Sequence, residues 1–324
     1  MRLRARLPVL WHGPTQVRLG TDPRWAVVLC DLSPSAARAL TALPEGSDER
    51  GIRAGLRSEQ VPDSEAEAVL QHLTSARLLV DATGNDSADA ATWGLLEADG
   101  DGAAVLAARA AARIRVCGLG RLGAALVRTL AQAGVGRIEL DDESPVTRHD
   151  VGWAGLSGVG GPRSHAVARL VQEVAPTVRT SAPAGTLPDL VVLVEHGVAD
   201  PTRHRPLMTD GVPHLSVVVR EASVLVGPMV RPGRTPCLRC VDLHRAAADP
   251  HWPTIAAQLA VRREQPEETL LAAISGPLAA AQAIAVVDGR RSAVEGAAIE
   301  LRLPELVPRH LEWDIHPECG CSGL

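Results

Sequence analysis

Four cysteines in two close pairs carry the most specific chemistry in the chain. Cys237 and Cys240 form a CxxC after the turn Pro232-Gly233-Arg234-Thr235-Pro236, and Cys319 and Cys321 form a CxC near the last residue. Four thiolates are what a tetrahedral zinc ion takes, and each pair supplies two ligands from one tight turn. Such a set leaves no open coordination position, so the zinc reading is a structural one. Two other readings stay open, a redox CxxC and a set of unpaired buried thiols. Within the zinc reading, His316 stands three residues before Cys319 and is a candidate to replace one thiolate.

A second constellation is Gly118-Leu119-Gly120-Arg121-Leu122-Gly123, a GxGxxG. Residues 113–117 read as a strand and 124–133 as a helix, which is the setting the motif needs. Gly118 makes the turn, Gly120 lets backbone amides approach a phosphate, and Gly123 lets helix and strand pack closely. Asp141 closes the next strand, about 20 residues on, where a carboxylate bonds a ribose hydroxyl. One reading is a live nucleotide site. The other is a scaffold that keeps its glycines for packing. Cys117, before the Gly turn, reads as a small buried hydrophobe.

The elements that hold these residues fall into two blocks. Residues 113–117, 137–140 and 190–194 read as strands, alternating with helices at 124–133 and 164–174, the signature of a doubly wound, mostly parallel α/β sheet of Rossmann type. This domain is expected over 111–324. Residues 1–82 hold short alternating runs at 8–10, 15–19 and 25–29, then a helix opened by Ser33-Pro34 and another over 64–73. Residues 48–56 read as a third helix and 78–80 as a closing strand. A small α+β, winged-helix-like module is the expectation. Residues 83–110, rich in Asp, Ala and Gly, read as a linker.

Composition narrows the chemistry. The 324 residues include no Lys, Phe or Tyr. No side-chain amine is present to form a Schiff base, and no Walker-type Lys can reach a phosphate. Any cationic stabiliser is therefore Arg or a metal. The formal net charge of −5 argues against a nucleic-acid surface. Arg2, Arg4 and Arg6 precede Pro8 without an apolar run, so no signal peptide is read, and the cytoplasm is the expected compartment. Clustered cysteines there favour metal over disulfide. Residues 270–287 are uncharged but contain Ser275, Gly276, Pro277 and Gln282. They read as a buried helix or a broken helix pair, not a membrane span.

The order of parts resembles the ThiF/MoeB/HesA adenylyltransferases, relatives of the ubiquitin-activating enzymes, over residues 111–321. Residues 118–142 look like that family's glycine motif, helix and second strand. Residues 160–176 look like its next stretch, 227–245 and 312–321 like its two zinc half-sites, and 270–289 like the helices between them. The resemblance implies Mg-ATP-dependent adenylation of the C-terminal carboxylate of a peptide or a small sulfur-carrier or ubiquitin-like protein. Arg163 stands where the family has a Lys on ATP phosphate, and Arg keeps that charge. The stretch matching the Mg-binding Asp reads Glu195-His196-Gly197-Val198-Ala199-Asp200, with Asp200 or Glu195 as substitutes. Arg148 is the stand-in for the Arg of the family's Asn-Leu-x-Arg. With both phosphate and metal positions changed, the chain reads as a degenerate member.

The whole architecture resembles the leader-peptide-binding partner proteins of azoline-forming cyclodehydratases. The resemblance implies that the winged helix takes a precursor's leader as an added β-strand while a separate ATP-using enzyme does the chemistry. It leaves a homodimer open. Asp242 and His244 read as part of a helix start after the zinc knuckle. Arg203, His204 and Arg205 read as a solvated loop or as an anion clamp.

Overall fold

The computed structural model describes residues 1–81, 87–152, 156–181, 185–262 and 266–323. The chain divides into two compact units, Met1–Ala107 and Ala108–Leu324. In the first, β1 (Arg2–Leu3) pairs with β5 (Leu79–Val80), and β2 (Val9–Gly13), β3 (Gln16–Leu19) and β4 (Val27–Leu29) form an antiparallel sheet in that order. Three helices follow, α1 (Pro34–Thr41), α2 (Glu49–Ser58) and α3 (Asp63–Ser75). Their starts are local chemistry. Ser33 Oγ accepts from the Ala36 amide at 3.1 Å and Asp48 Oδ1 from the Gly51 amide at 2.7 Å, each quenching an orphan donor of a first turn. Ile52 and Leu56, one turn apart on α2, bury with Val69 and Leu73 of α3 against Val17 and Leu19 of β3. Each such side chain contributes about 1.5–3 kcal/mol.

The stretch expected as a linker carries two helices instead, α4 (Ala88–Gly94) and α5 (Gly102–Ala111). Its glycines serve close packing. A Cβ on Gly102 would strike the Ala90 carbonyl, so only Gly lets the start of α5 approach α4. Arg4 then pins the turn between them, donating to the carbonyls of Gly94, Glu97 and Ala98 at 2.5–2.9 Å. Residues 82–86, which include part of the expected linker, lie outside the described residues.

The second unit is built on a sheet of seven strands. Its strands are β6 (Arg113–Cys117), β7 (Arg137–Asp141), β8 (Leu190–His196), β9 (His214–Val219), β10 (Ser223–Val230), β11 (Ala297–Arg302) and β12 (Arg309–Glu312). The order is β12-β11-β10-β9-β8-β6-β7. β7, β6, β8 and β9 are parallel, and β10 to β12 extend the sheet as an antiparallel edge. Both faces of the parallel part are covered, as a doubly wound sheet requires. On β8, Leu190, Val192 and Val194 face one core, while Val191 and Leu193 face another.

The first core is closed by α6 (Arg121–Gln132), α7 (Arg163–Val174) and α11 (Thr269–Val287). The second includes Leu207 of α8 (Pro201–Thr209). α9 (Leu238–Ala248) and α10 (Trp252–Ala260) lie between α8 and α11 in sequence. The uncharged 270–287 stretch is thus one continuous helix rather than a broken pair. Among the described residues, α11 is the one helix long and apolar enough to cross a membrane. It is a core helix of this sheet, and a Cβ on Gly276 would lie 2.8 Å from both the Ala125 Cβ and the Leu122 carbonyl. α6 and α11 therefore meet backbone to backbone.

Candidate functional site

A cleft of about 260 Å³ opens at the C-terminal ends of β6 and β8. It lies where the chain order reverses, β6 having β7 on one side and β8 on the other, which is where open α/β sheets bind ligands. Gly118 has φ +91°, and a Cβ there would strike the Val194 carbonyl of β8. A Cβ on Gly123 would strike the Gly118 carbonyl. These two glycines are required by the packing of strand, turn and helix, whatever the cleft holds. Gly120 differs: its Cβ would meet a side chain, Glu267 Oε1, at 2.8 Å.

The loop amides are already bonded to carboxylates of the chain. The Leu119 amide donates to Asp142 Oδ2 at 2.8 Å and the Leu122 amide to Glu267 Oε2 at 2.5 Å. His196, at the end of β8, places Nε2 3.2 Å from Glu267 Oε1. Neither Asp142 nor Glu267 is among the site residues expected from the sequence, and nothing in the sequence marks Glu267. Asp142 had a signal, since it adjoins Asp141 and the two side chains leave the strand end in different directions.

Asp141 does not line the cleft. Its Oδ2 accepts from Cys117 Sγ at 3.3 Å. Cys117 is buried as expected; burial and the Asp141 charge push its thiol well above the usual range. Arg163 opens α7 and does not line the cleft, although the lining residue Asp142 is one of its partners. It is buried between two carboxylates, Nη2 3.0 Å from Asp150 Oδ2 and Nη1 3.5 Å from Asp142 Oδ2. Asp150 is held below the ordinary carboxylate range: burial raises it, but bonds from Thr147 and Arg163 outweigh that. Arg148 is exposed on the loop between β7 and α7, with Nε 3.4 Å from His149 Nε2.

Asp200 does line the cleft, as the N-cap of α8. Its Oδ1 accepts from the Thr202 amide and hydroxyl, both at 2.8 Å. Its own amide donates to Glu195 Oε1 at 3.1 Å, and Glu195 Oε2 is buried with no hydrogen-bond partner among the described residues. Burial pushes the Glu195 carboxyl up to about 7, against the opposing pull of the Asp200 amide and Arg203. The Arg203-His204-Arg205 cluster is neither a loop nor a clamp of three. It is helical, with Arg203 on the cleft and His204 buried. Burial, with His214 nearby, lowers His204 to about 4.

The four cysteine Sγ atoms lie within 4.8 Å of one another. Cys237 and Cys319 are 3.4 Å apart, Cys240 and Cys321 3.4 Å, and Cys237 and Cys240 3.9 Å. Zinc–sulfur bonds of about 2.3 Å give tetrahedral edges of about 3.8 Å, so the set fits a four-thiolate zinc site. His316 is outside it, packed edge-on against His244 at 4.9 Å between ring centroids. His244 Nε2 meets the Asp314 carbonyl, and Asp242 accepts from Trp252 Nε1 at 3.0 Å. Both residues sit inside α9 rather than at its start. The chain's two cysteine segments are thus brought together across α9, β11 and β12.

Residues 97–195 match the model of the ThiF family. No curated protein sequence matches the chain. Among solved structures, the chain is similar to E. coli MccB, with TM-score 0.70, 16% identity, and coverage of 99% of this chain and 97% of that one. The MccB complex with ATP matches with TM-score 0.69 and 15% identity over 100% of both chains. PaaA matches with TM-score 0.70 and 14% identity, covering 95% of this chain and 98% of that one. At these identities the likeness is one of fold.

Proposed function

We propose that this chain is a ThiF-like protein that binds a peptide or small protein and presents it to a separate modifying enzyme of cyclodehydratase type, without adenylating the peptide itself. The observation that carries the reading is Arg163. The residue matched to the ATP-contacting Lys is buried, held by Asp150 and by the cleft-lining Asp142, and does not itself line the cleft. A guanidinium in that setting neutralises its own carboxylates and ties the loop after β7 to the start of α7. Asp200, one of the two candidates to replace the family's Mg-binding Asp, is engaged as a helix cap.

Peptide binding has its own support. E. coli MccB has been solved with the peptide MccA, on the same overall fold. In the N-terminal unit, β4 ends its sheet, and a groove of about 490 Å³ beside it is lined by Trp25, Val27, Arg77 and Leu96. An extended peptide added to that edge would satisfy the strand's outer hydrogen-bonding groups and lay alternate side chains into the groove. Zinc in the Cys237–Cys240–Cys319–Cys321 set is part of this reading, as a structural ion, and the cytoplasm its setting.

The retained glycines and the cleft at the switch point favour a second reading, an active adenylyltransferase using Mg-ATP on a C-terminal carboxylate. Pyrophosphate exchange separates the two. The full chain with candidate precursor peptides should give no Mg-dependent exchange. It should bind the cognate leader, and Trp25→Ala with Arg77→Glu should weaken that binding about tenfold or more. Robust exchange would overturn the proposal.

A further inference from the structure

The space that Gly120 leaves at the start of α6 is filled. Glu267 is nine-tenths buried, with one carboxylate oxygen on the Leu122 amide and the other beside His196, where it would meet a Cβ on Gly120 at 2.8 Å. Leu122 is the second residue of α6, so its amide is one of the orphan donors that aim at a phosphate in this motif. A carboxylate on such a donor gains from the helix dipole and from a charge-assisted bond.

Glu267 is not carried there by a loose side chain alone. Arg121 Nη1 donates to the Glu267 carbonyl at 3.1 Å and to Thr269 Oγ1 at 3.2 Å. The next residue, Glu268, is the N-cap of α11, its Oε2 accepting from the Leu271 amide at 2.9 Å. α11 in turn is locked against α6 at Gly276. The helix that must pack on α6 therefore delivers a carboxylate to the N-terminus of α6.

We infer that Glu267 is a resident anion in the phosphate seat of the glycine loop, and that a nucleotide phosphate and the Glu267 carboxylate exclude each other there. Two negative groups cannot share one amide in a buried site, and a phosphate oxygen on Leu122 would meet Glu267 at contact distance. The inference rests on the proposed function and deepens it, naming the group that keeps nucleotide out.

Calorimetry with ATP, with and without Mg, on the full chain tests it. The unsubstituted protein should bind weakly or not at all. Glu267→Ala, which empties the seat, should bind ATP about ten- to a hundredfold more tightly, the worth of one charged hydrogen bond. Glu267→Gln keeps the shape and an acceptor for Leu122 while removing the charge, so it should fold normally and gain affinity to a lesser degree. If Glu267→Ala loses the fold by thermal melting, the Gln variant decides. No gain in any folded variant, or ATP binding by the unsubstituted protein as tight as by the variants, overturns the inference. Leader-peptide titration of the same samples reports on the proposed function separately. Its loss in the unsubstituted protein would count against that reading and leave the ATP comparison intact.

Discussion

Arg109 and Asp288 meet as a buried two-pronged ion pair, Nε to Oδ1 at 2.8 Å and Nη2 to Oδ2 at 2.6 Å, with 2% and 1% of their side chains exposed. Arg109 lies in the last turn of α5 and Asp288 caps the end of α11. The pair ties the segment entering β6 to the helix that packs on α6. Planar guanidinium and carboxylate satisfy each other, which is what makes their burial tolerable.

Removing Asp288 leaves the Arg109 guanidinium charged and buried without this carboxylate. Asp288→Ala should cost about 3–5 kcal/mol in urea unfolding of the full chain. Replacing both residues by apolar ones of similar volume, Arg109→Met with Asp288→Leu, should cost much less than the single substitution. A double variant as unstable as the single one would show that the pair itself, rather than the buried charge left without Asp288, carries the stability.

The backbone of the nucleotide-type fold was legible because its signals are local. Glycine spacing, strand alternation and the Ser33 cap each act within a few residues. The cysteine set was legible because two short motifs share one chemistry. What escaped were partnerships set by tertiary packing. Glu267 reaches Leu122 across 145 positions of sequence, and nothing near either residue announces it. Arg163 kept the charge expected of a phosphate ligand, yet Asp150 and Asp142 close on it once α7 packs. The 83–110 stretch looked like a linker because Gly and Ala signal looseness when exposed. Here they allow α4 and α5 to approach closely, with Arg4 as the clasp.

The sulfur geometry predicts about one zinc per chain. Cys240→Ser or Cys319→Ser should release the metal, measured by a colorimetric chelator, and lower the melting temperature, since a structural ion contributes to folding directly. His316→Ala should keep the full metal content, because its ring packs edge-on against His244 rather than joining the sulfurs. Stoichiometric zinc in a variant lacking one of the four thiols would refute the assignment.

Gly276 sets the distance between α11 and α6. A methyl there would sit 2.8 Å from the Ala125 Cβ and the Leu122 backbone, neither of which can move without shifting α6. Gly276→Ala should therefore destabilise by about 1–3 kcal/mol despite the better helix propensity of Ala. The compensating change Ala125→Gly should recover part of that loss, read as a double-mutant coupling in denaturant titrations.

Two buried groups give the stability a pH dependence with opposite signs. His204 is lowered to about 4 by burial and by His214, so the unfolded chain binds its proton first. Stability from keeping it neutral is present above its ordinary value near 6.5 and is lost as pH falls from there towards 4. Glu195 is raised to about 7 by burial, with Asp200 adding to the rise and Arg203 and His196 opposing it. Its folded form holds the proton longer, so its contribution is present below about 4.5 and is lost as pH climbs through 7. Each is worth about 3 kcal/mol across its window. Between about pH 5 and 6.5 the two largely offset each other in the unsubstituted protein, and single variants should expose each alone. Glu195→Gln should remove the loss on the alkaline side, so that the variant gains on the parent as pH rises from about 5 to 8. His204→Asn should remove the loss on the acid side. Urea midpoints at half-unit pH steps read both. A Glu195→Gln profile parallel to the parent's over that same range would mean that the carboxyl in the cleft is already ionised at neutral pH.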